Sequence, residues 1–203
     1  MNRLAALELY PYNSLLWVYD AVIDPDYLNY AAEHILTQGF SGHPRSYKFF
    51  TLGECMNLKL EIWKAEIYCP HQEIVLRDDT IRAVKVPFSI SDSNEGVILF
   101  DNFRLVESRF RFGSNTEFAL VFEIKLRNDP EYLNSSQYHE DVDSAFTQEC
   151  CFLTFYPTEE PVQPEVLRLD AWASPPYEFS RYTRLDPTYP LILDDEPTQP
   201  LPW

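Results

Sequence analysis

Apolar and polar residues alternate with a period of two along much of the chain, which is typical of β-strands that bury one face. The clearest examples are the segments LKLEIWKAEIY and IRAVKVPF. The faces predicted to be buried hold Leu58, Leu60, Ile62, Val84, Val86 and Phe88. The opposite faces hold Lys59, Glu61, Trp63 and Lys85.

Further strands are predicted in NTEFALVFEIKL, CCFLTFY and EVLRLDA, and GVILFDNFRLVESRFRF is predicted as two strands joined by a turn at Asp101 and Asn102. Short alternating strands with polar turns indicate a mainly β fold, an antiparallel β-sandwich. Large aromatic side chains are expected to fill the space between its two sheets. The residues chosen for that role are Phe118, Phe122, Phe152 and Phe155.

One segment, DPDYLNYAAEHILTQG, has the pattern of a short N-terminal α-helix. Asp24 is a suitable N-cap, Pro25 suits the first helical position, and Gly39 suits the C-terminal end. Between them, apolar residues recur at helical spacing and form one stripe. We therefore expect one helix before the main run of strands.

The length of 203 residues fits a single domain with a tail. A chain of this size can bury roughly 70% of its unfolded surface, so it needs no disulfide or metal to fold. We predict a single β-sandwich domain over residues 1–185. Residues 186–203 are predicted to form a proline-rich acidic tail that is extended and has little secondary structure of its own.

The net charge of −16 is unevenly distributed. Residues 45–127 hold twelve basic and twelve acidic side chains, whereas residues 128–203 hold three basic and fifteen acidic ones. Such an acidic region repels nucleic acids and membrane surfaces and attracts basic protein surfaces. Direct nucleic-acid binding is therefore not expected, and the predicted partner is a basic protein. The oligomeric state is left open.

The four cysteines are Cys55, Cys69, Cys150 and Cys151, and none has CxxC spacing. We expect structural thiols in a reducing compartment. The N-terminal residues lack the pattern of a signal peptide, and no apolar run has the length of a membrane span. The expected location is the cytoplasm.

The segment QYHEDVDSAF brings together His139, Glu140, Asp141 and Asp143. Calcium loops with Asp-x-Asp spacing add a turn glycine and further acids, which are missing here, so no metal ligand is assigned. A glycosidase pair would need two carboxylates that face each other across a cleft, which a sequence does not reveal. The favoured interpretation is a solvated acidic loop within a long polar connection between two strands.

No enzymatic motif stands out. CPHQ has no third residue to orient a Cys–His pair, no G-x-S-x-G elbow occurs, and the five glycines are too dispersed for a phosphate-binding loop. We expect no enzymatic activity and no cofactor. A rigid β scaffold with an acidic surface is better suited to binding another protein.

Four blocks follow one another along the chain: LELYPYNSLLWVYD with the later FFTLGE, IRAVKVPFSISDSNEGVILFD, FGSNTEFALVFEI and CFLTFYPTEEPVQPEVLRLDAWASPP. In their residues and order these blocks resemble the competence protein J family, the inhibitors of the DNA-entry nuclease of competent bacteria. The resemblance implies a bacterial, non-enzymatic protein that binds and blocks a metal-dependent, sequence-nonspecific nuclease. A nuclease cleft is basic because it must bind a phosphate backbone, so an acidic protein can occupy it.

The resemblance supplies no inhibitory positions, so the candidate partner-binding residues are chosen by charge and loop placement. They are Glu140, Asp141, Asp143, Glu159 and Glu160. Interleaved aromatics could anchor the same interface. Those considered are Tyr132, Tyr138, Phe146 and Tyr156. Two alternatives remain open, an immunity protein against another basic toxin such as an RNase, and a carbohydrate- or lipid-binding β-sandwich module.

Overall fold

Long-range strand pairing organises the chain in the computed structural model. The residues that the structure describes are 1–9, 15–23, 38–51, 58–66, 68, 74–91, 96–100, 108–128, 133–136, 139, 149–169 and 191–195. Within these residues the chain forms eleven β-strands in two sheets. The protein is therefore mainly β, as the alternation of apolar and polar residues predicts.

The larger sheet, sheet A, has six strands in the order β1-β5-β10-β9-β6-β11. Their bounds are β1 Asn2–Leu9, β5 Leu58–Lys64, β6 Thr80–Ser89, β9 Glu117–Leu126, β10 Glu149–Pro157 and β11 Glu165–Leu169. Sheet B has five strands in the order β3-β4-β2-β7-β8. Their bounds are β2 Leu15–Asp20, β3 Phe40–His43, β4 Ser46–Phe50, β7 Val97–Phe100 and β8 Ser108–Phe110.

The expected purely antiparallel arrangement is wrong for sheet A, because β5 and β10 run parallel. Their register extends from Cys150 opposite Lys59 to Phe155 opposite Lys64. All other strand pairs in the two sheets are antiparallel. Alternation determines which side chains share a face, but it carries no information on the direction of the neighbouring strand.

The hydrophobic core lies between the two sheets. Phe49 of sheet B stacks on Phe122 of sheet A with 4.6 Å between the ring centroids. Phe118, Phe122 and Phe155 belong to this core, as expected. Phe152 does not, because it follows the opposite parity along β10 and lies against the Arg77 guanidinium, 4.2 Å from the ring centroid.

The strand faces predicted for β5 and β6 are confirmed. Leu58, Leu60 and Ile62 are buried in the core, while the alternate residues of β5 remain partly exposed. The helix predicted between Asp24 and Gly39 falls mainly on residues 24–37, outside the described residues. Gly39 itself has a φ of 78°, the left-handed conformation that commonly follows a helix.

The strand directions define two ends of the sandwich. At the first end, Arg82 of sheet A donates to the carbonyls of Gly39 and Phe50 beside sheet B. At the second end, Ser89 of sheet A donates to the Pro44 carbonyl. We call these the Arg82 end and the Ser89 end.

Several connections begin and finish at the Arg82 end. β9 ends there at Leu126 and β10 starts there at Glu149, so the acid-rich connection between them is attached at this end. The strand ends that flank residues 10–14, 52–57 and 101–107 lie at the same end. The sheet topology therefore groups the attachment points of four connections.

Candidate functional site

The net charge differs between the described residues, which we call the framework, and the rest of the chain. The described residues carry 14 acidic and 13 basic side chains, for a net charge of −1. The whole chain carries −16. Nearly all of the net negative charge therefore belongs to positions outside the described set, mainly residues 24–37, 52–57, 92–95, 101–107, 129–132, 140–148 and 170–190.

Several acids of the framework pair with bases of the framework. The buried carboxylate of Asp20 accepts hydrogen bonds from Nε and Nη2 of Arg45, at 3.0 and 2.9 Å, and from the backbone N–H of Ser91 at 2.9 Å. Because a buried carboxylate needs such donors, this arrangement fixes the loops around Asp20 at the Ser89 end. Asp20 and Arg45 therefore form a structural ion pair, and the Asp20 carboxylate is not exposed to a partner.

Glu123 has a similar role on the outer face of sheet A. Its buried carboxylate accepts hydrogen bonds from the Arg77 side chain, from the Arg77 backbone N–H at 3.0 Å and from the Thr80 hydroxyl at 3.0 Å. These bonds hold residues 74–80 across the sheet. Burying the carboxylate is tolerated because a cation and two neutral donors compensate for its lost hydration.

Two further acids are paired at the edges of sheet A. Glu165 accepts a hydrogen bond of 2.5 Å from Lys85, and Glu8 accepts one of 3.1 Å from Arg127. Burial lowers the pKa of Lys85, but its hydrogen bonds to Glu165 and Tyr68 outweigh this effect and the net pKa is raised. Each pair combines one acid with one base and therefore contributes little net field.

Glu159 and Glu160 differ from these acids because they are exposed in a turn directly after β10. The Thr158 hydroxyl organises the turn by accepting from the Glu160 N–H at 2.9 Å and donating to the Glu160 carbonyl at 3.0 Å. Among the described residues, no basic side chain forms an ion pair with either carboxylate.

Glu117 lies beside this turn, since its carbonyl accepts a hydrogen bond of 3.0 Å from the Thr158 N–H. Partial burial raises the pKa of the Glu117 carboxyl. The three acids Glu117, Glu159 and Glu160 thus lie together at the Ser89 end. This end of the sandwich has a small exposed acidic surface.

The other candidate residues, Glu140, Asp141 and Asp143, lie outside the described residues. Their neighbour His139 is described and is exposed. The connection that contains them joins β10 at Glu149, at the Arg82 end, whereas Glu159 follows β10 at the Ser89 end. Nine residues of β-strand separate the two points, which corresponds to about 27 Å.

The sequence analysis did not identify Arg82 as a core residue. Arg82 has the parity of Val84, Val86 and Phe88 and is fully buried between the sheets. Burial lowers its pKa to about 10, although nearby Glu149 and Cys151 act in the opposite direction. Its Nε and Nη1 atoms have no hydrogen-bond partner in the described part of the chain. Arg82 lies two positions before Val84 in IRAVKVPF, so the same alternation places it on the buried face. This pattern is the signal that would have identified it.

Of the aromatics considered as interface anchors, Tyr156 is half-buried on the outer face of sheet A. Burial and the nearby Glu123 carboxylate raise its pKa. Tyr132, Tyr138 and Phe146 lie outside the described residues. The anchoring role of all four stays a prediction.

The cysteines, possible metal ligands and possible membrane-spanning helices can be described for part of the chain. Cys150 and Cys151 are buried thiols and are not disulfide-bonded. No group of three or more His, Cys, Asp or Glu side chains in the described ranges is arranged to hold a metal ion. No helix within those ranges is both long enough and apolar enough to cross a membrane.

No family model and no curated protein matches the chain. Among solved structures, it is similar to ComJ, inhibitor of the DNA degrading activity of NucA, from Bacillus subtilis. The two chains share 12% identity and superpose with a TM-score of 0.47, and the match covers 76% of this chain and 97% of that one. Inhibition of the DNA degrading activity of NucA is a property of ComJ.

Proposed function

We propose that this protein is a non-enzymatic inhibitor that binds a metal-dependent, sequence-nonspecific nuclease and blocks its basic cleft with carboxylates. The observation that carries the proposal is the partition of charge. The framework is nearly neutral, with 14 acidic and 13 basic side chains, and its buried Asp20 and Glu123 pair with Arg45 and Arg77, whereas the whole chain has a net charge of −16. The rest of the chain therefore carries 18 acidic and only 3 basic side chains, since the totals are 32 and 16.

An excess of this kind favours a basic partner through its electrostatic field. Opposite fields steer two proteins together and raise their association rate by about one to three orders of magnitude. A nuclease cleft that binds a phosphate backbone must present cations. Carboxylates held at phosphate-like positions would compete with DNA for those cations.

The residues proposed to contact the nuclease are Glu140, Asp141 and Asp143 in one set and Glu159 and Glu160 in another. The second set is exposed and has no ion-pair partner among the described residues, which supports its availability. The first set belongs to the connection from Asn128 to Glu149, which has acids but no Lys or Arg. A protein ligand with these features acts by occlusion and requires no chemistry of its own.

The full-length chain, immobilised and exposed to an extract of its native host, tests this function. We expect it to retain a protein that has Mg²⁺-dependent DNase activity after elution at high salt. Adding the free chain back at low salt should abolish that activity. A bound fraction without DNase activity overturns the proposal, and a bound RNase instead would establish an immunity protein against a different toxin.

A further inference from the structure

Residues 191–195 lie along the edge of sheet B. Among the described residues, β3 is the outermost strand of that sheet, and one of its edges pairs with no other described strand. Gln38, just before β3, forms hydrogen bonds to the backbone of Ile192 through both the nitrogen and the oxygen of its side-chain amide. Its Nε2 donates to the Ile192 carbonyl at 2.7 Å, and its Oε1 accepts from the Ile192 N–H at 2.9 Å.

The same segment presents its side chains in strand-like alternation. Leu191 and Leu193 pack against the hydrophobic core between the sheets. Ile192, between them, is 39% exposed. The site therefore recognises two apolar side chains two positions apart and leaves the middle position to solvent, as expected for an extended peptide on a sheet edge.

Asp194 extends the recognition by one residue. Its N–H donates to the Gly42 carbonyl at 2.8 Å, and its carboxylate accepts a hydrogen bond of 2.5 Å from the Ser41 hydroxyl. Gly42 has a φ of 142°, and a Cβ there would lie 2.1 Å from the Ser46 carbonyl oxygen. The β3–β4 hairpin that carries both contacts is consequently fixed in shape by glycine.

The contacts join residues that are 152 to 154 positions apart in the sequence. They involve backbone groups, one amide, one hydroxyl, one carboxylate and two leucine side chains, with no covalent tie. Each of them can be made equally by a separate peptide. What favours the internal segment is its high effective concentration near the site.

We infer that the edge of β3 is a peptide-binding site for extended segments of the pattern apolar-x-apolar-Asp, filled in this chain by its own residues 191–195. The ligand lies against β3 in an extended form and is held by one backbone hydrogen bond to Gly42 and by the Gln38 and Ser41 side chains. Specificity comes from the apolar sites for Leu191 and Leu193 and from the Ser41 hydroxyl. None of the residues that form this site is among the acids proposed to contact a nuclease.

The test is a fluorescence anisotropy titration of a labelled peptide of residues 187–197, PTYPLILDDEP, with the full-length chain. In the L191D/L193D chain the internal segment should be released, and the peptide should bind at micromolar concentration. The unmodified chain should bind the peptide at least about tenfold more weakly, because its own segment occupies the site. Near-ultraviolet circular dichroism verifies that each chain is folded.

Matched peptides distinguish specific recognition from nonspecific binding. A peptide with the Ile192→Asp change should bind like the natural sequence, because that side chain faces solvent. A peptide with Leu191→Asp and Leu193→Asp should not bind, and one with Asp194→Asn should bind several-fold more weakly.

Failure of the natural peptide to bind the folded L191D/L193D chain overturns the inference, as does equal binding to the unmodified chain. If the double variant does not fold, the L193S chain replaces it in the same titration under the same criteria. No nuclease is present in these measurements, so their outcome is independent of the proposed function.

Discussion

Phe49 and Phe122 stack across the interior with 4.6 Å between their ring centroids and 24° between their planes. Phe49 belongs to β4 of sheet B and Phe122 to β9 of sheet A, and both are fully buried. β9 has a strand on each side, so Phe122 lies near the middle of sheet A. This contact joins the two sheets and makes a stiff framework possible.

Replacing Phe122 by Ala should lower the free energy of unfolding by about 3–5 kcal/mol, because it removes buried area and leaves a cavity between the sheets. Urea denaturation followed by fluorescence measures the change. The control is Val75→Ala, at a side chain that is 79% exposed, where a change within about 0.5 kcal/mol is expected. Equal effects of the two substitutions would contradict the packing described here.

Replacing Asp20 by Asn should destabilise the protein by about 1.5–3 kcal/mol, because Arg45 and the Ser91 N–H lose a charged hydrogen-bond acceptor at a mostly buried site. The matched control is Glu8→Gln, which removes the exposed partner of Arg127 and should cost about 0–1 kcal/mol. Denaturation midpoints of both variants provide the comparison. If removing Arg45 in the Asp20→Asn background costs as much as removing it from the unmodified chain, the two residues are not coupled.

Neutralising the acids of the connection, with Glu140→Gln, Asp141→Asn and Asp143→Asn, should raise the inhibition constant for the nuclease about tenfold or more at low salt and weaken its salt dependence. Inhibition is measured from DNA degradation at several salt concentrations. Unchanged inhibition at low salt would remove this connection from the interface.

The Glu159→Gln/Glu160→Gln variant is the comparison for that triple variant. If only the overall field matters, the loss of affinity should follow the number of charges removed, three against two. If one set contacts the nuclease, the loss should be concentrated in that set. The same denaturation curve for all these variants ensures that only binding has changed.

Stability should decline in alkaline solution. Burial, together with Glu149, raises the pKa of Cys151 well above its usual value, and burial with Asp194 does the same for Tyr47. Between the unfolded and folded pKa values the folded state binds more protons than the unfolded chain, so stability falls as pH rises. The decline should begin near pH 9 for the thiol and near pH 10 for the phenol, at up to about 1.4 kcal/mol per pH unit for each group.

Urea midpoints between pH 7 and pH 10.5 measure this decline. A Cys151→Ala chain is less stable at the outset but should lose less stability between pH 9 and pH 10 than the unmodified chain. Parallel curves for the two chains would show that the Cys151 proton is not retained by folding.

The acidic surface could be predicted only in part. The exposure of Glu159 and Glu160 follows from a polar segment after an apolar strand. The pairing of Asp20 with Arg45 and of Glu123 with Arg77 does not, because each pair is formed by long-range folding across 25 and 46 positions. Counting charges along the chain therefore overstates how many framework acids are available to a partner.

Local alternation determined by itself that this protein is built of β-strands, and it determined which residues of β5 and β6 share a face, since side chains of a strand point alternately to its two sides. Composition also determined the net charge of −16. Tertiary structure alone decided that β5 runs parallel to β10 and that the Arg77 guanidinium lies over the Phe152 ring. It also decided that residues 191–195 lie against β3, where Asp194 donates a hydrogen bond to Gly42. These outcomes depend on which distant strands become neighbours, and that choice is made by burial and hydrogen bonding summed over the whole fold.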